Sequence, residues 1–124
     1  MIQAKKIAVI EDEASICEMY RMKLSHAGYE VKTAQNGQEG LQLLEAFKPE
    51  LILLDLKMPV MSGDEMLAKL RETDWGAEIR VIVLTNISRD EAPKNLQFLH
   101  IDRYIVKAHH TPAQVLEIVE EIIN

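Results

Sequence analysis

Residues 52–63 read ILLDLKMPVMSG, a run of aliphatic side chains that stops at Asp55. A continuous apolar run of this kind is typical of a strand that is covered on both faces, as in a parallel sheet. A carboxylate at the end of such a strand must be half-buried, paired or used chemically, because an unpaired buried charge is costly. The stretch therefore predicts a buried strand and a candidate reactive group directly after it.

The rest of the chain repeats this pattern. Residues 7–10 and 81–84 are further apolar runs, 104–106 is a shorter one, and 29–34 alternates apolar with polar residues as an edge strand does. Segments with helical spacing of apolar residues lie between the runs. The alternation predicts one α/β domain with a parallel sheet, right-handed crossovers and five helices, two on one face and three on the other.

Helix boundaries are also marked in the sequence. A capping residue is followed three positions later by Glu or Gln at three places, which predicts reciprocal caps: Asn36 with Glu39, Ser62 with Glu65, and Thr111 with Gln114. Gly28 suits the end of the first helix. The fourth helical segment, about residues 90–99, contains Pro93, which is harmless only in a first turn, so we predict a short, loosely held helix capped by Asp90.

Composition limits the function. The 124 residues carry a net charge of −6 and suit a single domain, residues 1–124. An acidic chain disfavours non-specific binding to nucleic acid or to an anionic membrane. No apolar run approaches the roughly 20 residues that cross a bilayer, and residues 1–6 are too polar for a signal peptide, so we expect a cytoplasmic protein. Cys17 is the single cysteine and is expected to be a small apolar helix residue.

Polar residues follow the predicted strands at one edge of the sheet, where open parallel sheets bind ligands. They are Glu11, Asp12, Asp55, Thr85 and Lys107. Strands often end in polar residues only to meet water, but two carboxylates about 5 Å apart repel by roughly 3 kcal/mol at an effective dielectric near 20. A hard cation such as Mg²⁺ would offset this repulsion. We expect Asp12 and Asp55 as direct ligands, Glu11 acting through water, a loop carbonyl after Asp55, and Asp55 as a nucleophile toward phosphorus.

These residues resemble the receiver domain of two-component response regulators. The resemblance covers essentially the whole chain and rests on five spaced signals: Glu11-Asp12, Asp55, Met58-Pro59 with Gly63, Thr85, and Lys107 preceded by Tyr104. It implies a doubly wound, flavodoxin-like fold with strand order 2-1-3-4-5. It also implies a phosphorylated switch that receives its phosphoryl group from a sensor histidine kinase or a histidine phosphotransfer domain and signals to an unknown downstream protein.

The resemblance assigns roles to residues of the metal site. It implies that Asp55 is the phosphoacceptor, Asp12 the main metal-binding acid and Glu11 its partner. The backbone carbonyl of Lys57 matches the family's main-chain ligand for Mg²⁺.

Three further residues match the family's switch. Thr85 and Lys107 correspond to the residues that grip the phosphoryl group, and Tyr104 to the aromatic residue that turns inward on activation. The family's response is a changed surface of the fourth helix, fifth strand and fifth helix. The weakly predicted helix around Pro93 lies on that surface.

The chain departs from the family at three positions. Ala108 stands where a cis proline commonly follows the lysine, and a cis bond without proline costs about 2.5–4 kcal/mol, so either the bond is trans or strain is held. Asn86 stands where a small residue is usual and is expected to narrow the path of the attacking water. Lys57 is expected to pair with Glu11 or Asp12 when no ion is bound.

Other functions were weighed on the same residues. A phosphatase of the haloacid dehalogenase type needs a general acid at the position of Lys57, which cannot serve at neutral pH. A flavin-binding domain would place phosphate near residues 11–13, which are all acidic. A protein-interaction domain that is never phosphorylated stays open, as does a receiver excised from a hybrid kinase or multidomain regulator. No DNA-binding or catalytic domain is expected within the chain.

Overall fold

The strands and helices alternate along the chain in the predicted order. The computed structural model describes residues 3–124. The strands are β1 (Lys6–Ile10), β2 (Glu30–Ala34), β3 (Leu51–Leu54), β4 (Arg80–Thr85) and β5 (Arg103–Val106). The α-helices are α1 (Ala14–His26), α2 (Gly37–Phe47), α3 (Gly63–Arg71) and α4 (Pro112–Ile123).

The five strands form one parallel sheet in the order β2-β1-β3-β4-β5, which confirms the predicted order. All four residues of β3 are buried, because the strand lies in the middle of the sheet and is covered on both faces. β2 lies at an edge and exposes alternate side chains, as its sequence predicts. Since all strands run in one direction, the residues that follow them collect at the same edge.

Each face of the sheet has its own core. Helices α1 and α4 pack on one face, where α1 buries Cys17, Tyr20 and Leu24 against the sheet. Helices α2 and α3 and the segment around Leu96 pack on the other. In the described part of the chain, no helix is long and apolar enough to cross a membrane.

The three caps predicted from paired residues are present, but only one is reciprocal, and the predicted cap at Asp90 is wrong because Asp90 lies inside a 3₁₀ turn that begins after Ser88. Thr111 and Gln114 exchange hydrogen bonds between side chain and backbone, with Pro112 at the first helical position. Asn36 and Ser62 each accept a bond from the backbone three residues on, without a return bond to their own N–H. Gly28, with φ +101°, follows α1 as predicted.

The predicted fourth helix is not an α-helix. Residues 89–98, here called the 3₁₀ segment, contain two short 3₁₀ turns, Arg89–Glu91 and Lys94–Phe98. Pro93 explains the break, because it has no N–H for an intrahelical bond and forces the residue before it out of the helical region. Ala92 accordingly has ψ 150°. The chain therefore has four α-helices among its described residues instead of five, and the 3₁₀ segment stands in the place of the predicted fourth helix.

Candidate functional site

The predicted site residues meet at the carboxyl edge of the sheet. Glu11 and Asp12 follow β1, Asp55 follows β3, Thr85 ends β4 and Lys107 follows β5. One carboxylate oxygen from each of the three acids lies within 4.8 Å of the other two. Glu11 and Asp55 are buried, whereas Asp12 is more open to solvent. The fold thus brings together the acidic cluster that the sequence predicts.

Lys107 balances part of this negative charge. Its ammonium pairs with Glu11 Oε1 and lies 3.2 Å from Asp55 Oδ2. Burial alone would lower the pKa of Lys107, but the hydrogen bond to Glu11 and the charge of Asp55 raise it. Lys107 is therefore a fixed cation in a site that is largely shielded from water.

Asp55 is oriented by three donors. Its Oδ1 accepts hydrogen bonds from the backbone N–H of Leu56 at 2.8 Å and of Lys57 at 3.4 Å, and its Oδ2 faces Lys107. Burial raises the pKa of Asp55, but interactions with the Glu11 and Thr85 side chains and with Lys107 outweigh it and lower the pKa overall. Asp55 is ionised and held in place, as a nucleophile must be.

The negative charge of Glu11 is the least well stabilised in the cluster. Its Oε2 is enclosed and has no hydrogen-bond partner among the described residues. Burial, together with the neighbouring Asp55, raises the pKa of Glu11 to about 8. An unpartnered carboxylate oxygen beside two other acids is the donor set that a hard divalent cation satisfies, so these residues fit Mg²⁺.

The raised pKa of Glu11 predicts that Mg²⁺ affinity depends on pH. Near neutral pH the ion-free protein holds a proton on Glu11, and binding a cation releases it. We expect the association constant, measured by titration calorimetry, to rise by up to about tenfold per pH unit below the pKa and to level off above it. In Glu11→Gln this slope should disappear; an unchanged slope in that variant would assign the proton to another group.

Two glycines, Gly63 and Gly37, donate backbone hydrogen bonds to the loop after Asp55. The Gly63 N–H donates to Leu56 O at 2.9 Å, and a Cβ on Gly63 would lie 2.1 Å from the carbonyl oxygen of Asp55. At the other side of the loop, the Gly37 N–H at the start of α2 donates to Met61 O at 3.0 Å. The sequence analysis singled out Gly63 but missed Gly37. The only signal for Gly37 in the sequence is its position at the start of a capped helix.

Thr85 and Tyr104 connect the site to the 3₁₀ segment. Thr85 is fully buried, and its Oγ1 accepts a 3.4 Å hydrogen bond from the Ile87 N–H. The Tyr104 hydroxyl donates to Ile87 O at 2.7 Å, and the Arg89 guanidinium lies 5.6 Å from the centre of the Tyr104 ring. Both predicted switch residues therefore hold the chain just before and at the start of the segment.

Two of the three departures from the family pattern have a clear outcome. The Lys57 side chain is exposed and forms no ion pair with a described residue, so its predicted pairing with Glu11 or Asp12 is wrong. Lys107 takes that position because it projects from the end of β5 directly between the acids. No described peptide bond is cis, so the bond between Lys107 and Ala108 is trans. Asn86 is exposed directly after Thr85.

The fold and the site together define a receiver domain. The family model for the response regulator receiver domain matches residues 7–120, and the chain belongs to that family. Receiver domains are signalling domains of response regulators, which work with histidine kinases or phosphotransfer proteins.

Individual relatives agree with this assignment. The phosphate regulon transcriptional regulatory protein PhoB of Pseudomonas aeruginosa is 37% identical over 105 residues, which are 83% of this chain and 45% of that protein. The chain spans about half the length of the curated relatives it matches. The chemotaxis response regulator CheY4 of Vibrio cholerae superposes with a TM-score of 0.87 at 27% identity, covering 97% of this chain and 99% of the other. A CheY-like receiver from Methanospirillum hungatei gives 0.86 at 30% identity, covering 98% and 94%.

Proposed function

We propose that Asp55 accepts a phosphoryl group from a phosphohistidine on a sensor histidine kinase or a histidine phosphotransfer domain. The observation that supports this most directly is the state of the Asp55 carboxylate. It is ionised, it is oriented by two backbone N–H groups, and it lies 3.2 Å from the Lys107 ammonium. We expect the exchange to take place in the cytoplasm, without nucleic acid or membrane as a partner of this domain.

The transfer forms a bond between an Asp55 carboxylate oxygen and phosphorus while the bond from phosphorus to the imidazole nitrogen breaks. The donor histidine leaves as a neutral imidazole after taking up a proton from solvent. Lys107 stays beside the acceptor and offsets the negative charge of the arriving phosphoryl group. The Leu56 and Lys57 N–H groups keep the Asp55 carboxylate in a fixed orientation.

Mg²⁺ is the proposed cofactor. Asp12, Asp55 and the carbonyl of Lys57 would hold it, with Glu11 acting through water. When bound, the ion neutralises negative charge on the phosphoryl oxygens.

The output of the switch is proposed to pass through Thr85 and Tyr104. If the Thr85 hydroxyl turns toward the phosphoryl group, it gives up its bond to Ile87, and Tyr104 is then free to leave the Ile87 carbonyl. The surface formed by the 3₁₀ segment, β5 and α4 would change as a shift between two populated states. An unknown downstream protein reads that surface.

Acetyl phosphate tests the proposed function without a kinase. Incubation with acetyl phosphate and Mg²⁺ should add one phosphoryl group, seen as a mass gain of the intact protein and as a shifted band in a phosphate-affinity gel. Chelation of the ion should prevent the gain. A folded protein that stays unmodified at saturating Mg²⁺ would instead be a non-phosphorylated interaction domain.

Asn86 is predicted to slow hydrolysis of the aspartyl phosphate, because its side chain stands at the exposed edge of the site. Asn86→Ala should shorten the lifetime of the phosphorylated state about fivefold, which corresponds to about 1 kcal/mol of barrier. Decay of the shifted band after removal of acetyl phosphate measures it. Asn95→Ala, at an exposed asparagine of the 3₁₀ segment, is the matched control. Equal lifetimes in wild type and Asn86→Ala would remove the assignment.

A further inference from the structure

The two ends of the 3₁₀ segment are held in different ways. Within residues 89–98, all of which the structure describes, Leu96 alone is buried and Phe98 is 71% exposed. Apart from Leu96 and the half-buried Ala92, the segment has little packing against the core, and its position depends largely on the contacts of the residues on either side.

Arg71 holds the downstream side. From the last turn of α3, its Nε donates to Leu99 O at 2.8 Å and its NH2 group donates to His100 O at 2.9 Å. The NH1 group donates to Gly76 O at 3.0 Å and to Ile79 O at 2.8 Å. One rigid, planar guanidinium thus joins the chain after the 3₁₀ segment to the loop between α3 and β4.

A second side chain holds the same turn. Asp102 Oδ2 accepts a hydrogen bond from the Val81 N–H at 2.9 Å, and the Asp102 N–H donates to Val81 O at 2.8 Å. Between these two anchors His100 has φ +55°, a left-handed conformation that is unfavourable for a residue with a Cβ. Residues 99–102 are therefore a fixed, slightly strained joint attached to α3 and β4.

The upstream side depends on the switch residues instead. The polar contacts that residues outside the segment make with residues 87–89 are the Thr85 Oγ1 bond to Ile87 N, the Tyr104 hydroxyl bonds to Ile87 O and Ser88 O, and the packing of Arg89 on the Tyr104 ring. The half-buried Ile87 side chain also packs against the core of this face. A change in Thr85 and Tyr104 would remove the polar contacts of this side and leave only the Ile87 packing, while every contact of Arg71 and Asp102 stays in place.

We propose that Arg71 is a positioning residue that makes residues 99–102 the fixed hinge of the 3₁₀ segment. The segment swings about this hinge when Thr85 and Tyr104 release its upstream side, and β5 keeps its place beside β4. The trigger rests on the proposed phosphorylation of Asp55, but the hinge itself is a property of the resting protein.

Amide hydrogen exchange of the wild-type protein tests the hinge, with beryllium fluoride and Mg²⁺ as the phosphoryl mimic. We expect exchange to change at residues 86–98 and to stay constant at 99–102. A change at 99–102 as large as that at 86–98 would overturn the hinge. No change at any residue, including the loop after Asp55, would count against the proposed function instead.

Arg71→Met then tests the role of the side chain, and Arg21→Met is the control. Arg21 also uses its guanidinium in a hydrogen bond, from Nε to Glu18 Oε2 at 2.8 Å, but it lies on α1, which packs on the opposite face of the sheet. Without any ligand, exchange at residues 99–102 should rise at least tenfold in Arg71→Met and not in Arg21→Met. With the mimic, the change in Arg71→Met should spread from 86–98 into 99–102.

Arg71→Lys keeps the charge but lacks the planar guanidinium, so its exchange at residues 99–102 should be intermediate between wild type and Arg71→Met. It also serves as the test if Arg71→Met does not fold. Exchange at 99–102 that stays at the wild-type level in these variants, or that rises equally at all amides, would show that Arg71 contributes only to overall stability.

Discussion

Asp55→Asn is expected to abolish phosphorylation by acetyl phosphate, with the initial rate falling at least about a hundredfold. The asparagine amide has the shape of the carboxylate and can still accept the Leu56 N–H bond, but it is not a nucleophile toward phosphorus. The loss should not come from unfolding. Because the folded protein lowers the pKa of Asp55, the charge of this carboxylate stabilises the fold, so the ion-free variant should unfold at a somewhat lower urea concentration than wild type but stay folded without denaturant.

Initial rates from intact mass and unfolding curves from circular dichroism give the two readouts. Asp64→Asn is a suitable control, because Asp64 is a half-buried acid in the first turn of α3, close in sequence to the site. It should be phosphorylated at the wild-type rate. Labelling of Asp55→Asn at that same rate would place the acceptor elsewhere.

Gly63→Ala is expected to have the largest effect on stability. A methyl group at Gly63 would lie 2.1 Å from the Asp55 carbonyl oxygen and 2.9 Å from Leu56 Cα, both of them backbone atoms of the loop that holds the acceptor. Since backbone cannot turn aside as a side chain can, we expect the free energy of unfolding to fall by about 3 kcal/mol or more. The remaining folded protein should bind Mg²⁺ more weakly, because the loop that carries Asp55 and the Lys57 carbonyl is displaced.

Gly28→Ala separates the collision from conformational preference. Gly28 has φ +101° but no atom within 4 Å of an added Cβ, whereas Gly63 has an ordinary φ and no space. Gly28→Ala should cost about 1–2 kcal/mol and leave Mg²⁺ affinity unchanged. If urea unfolding gave equal losses for the two variants, the close contact at Gly63 would not be the cause.

Features that depend on local sequence were predicted well. The buried strands follow directly from continuous apolar runs, and the carboxyl edge of a parallel sheet was enough to collect Asp55 with Glu11 and Asp12. Thr111 and Gln114 form the predicted reciprocal cap because both partners lie within one turn of the chain. The order of the strands came from the family resemblance, and the sheet confirms it.

The fourth helix shows where local signals compete. Helical spacing favoured a helix over residues 90–99, and Pro93 was placed in its first turn. In the structure Pro93 instead separates two 3₁₀ turns, because the missing N–H and the restriction on Ala92 act on both sides of the proline. Spacing of apolar residues alone could not decide between these outcomes.

Contacts between distant residues were the hardest to predict. Lys107 was expected at this edge of the sheet, and it pairs there with Glu11 and Asp55 because β5 places it at the site. Lys57, which is nearer to the acids in sequence, was expected to pair with Glu11 or Asp12 and does not. Arg71 was not singled out at all. Its four partners are backbone carbonyls, which any residue type supplies, so no pattern of side chains marks them.

The buried position of Cys17 has a practical consequence. Cys17 is 4% exposed and is covered by the packing of α1 on the sheet, so a thiol reagent reaches its side chain only when the helix lifts away. Because the chain has no other cysteine, the rate of its alkylation reports that opening at one known position. The wild-type protein thus contains a built-in probe of local unfolding where α1 packs on the sheet.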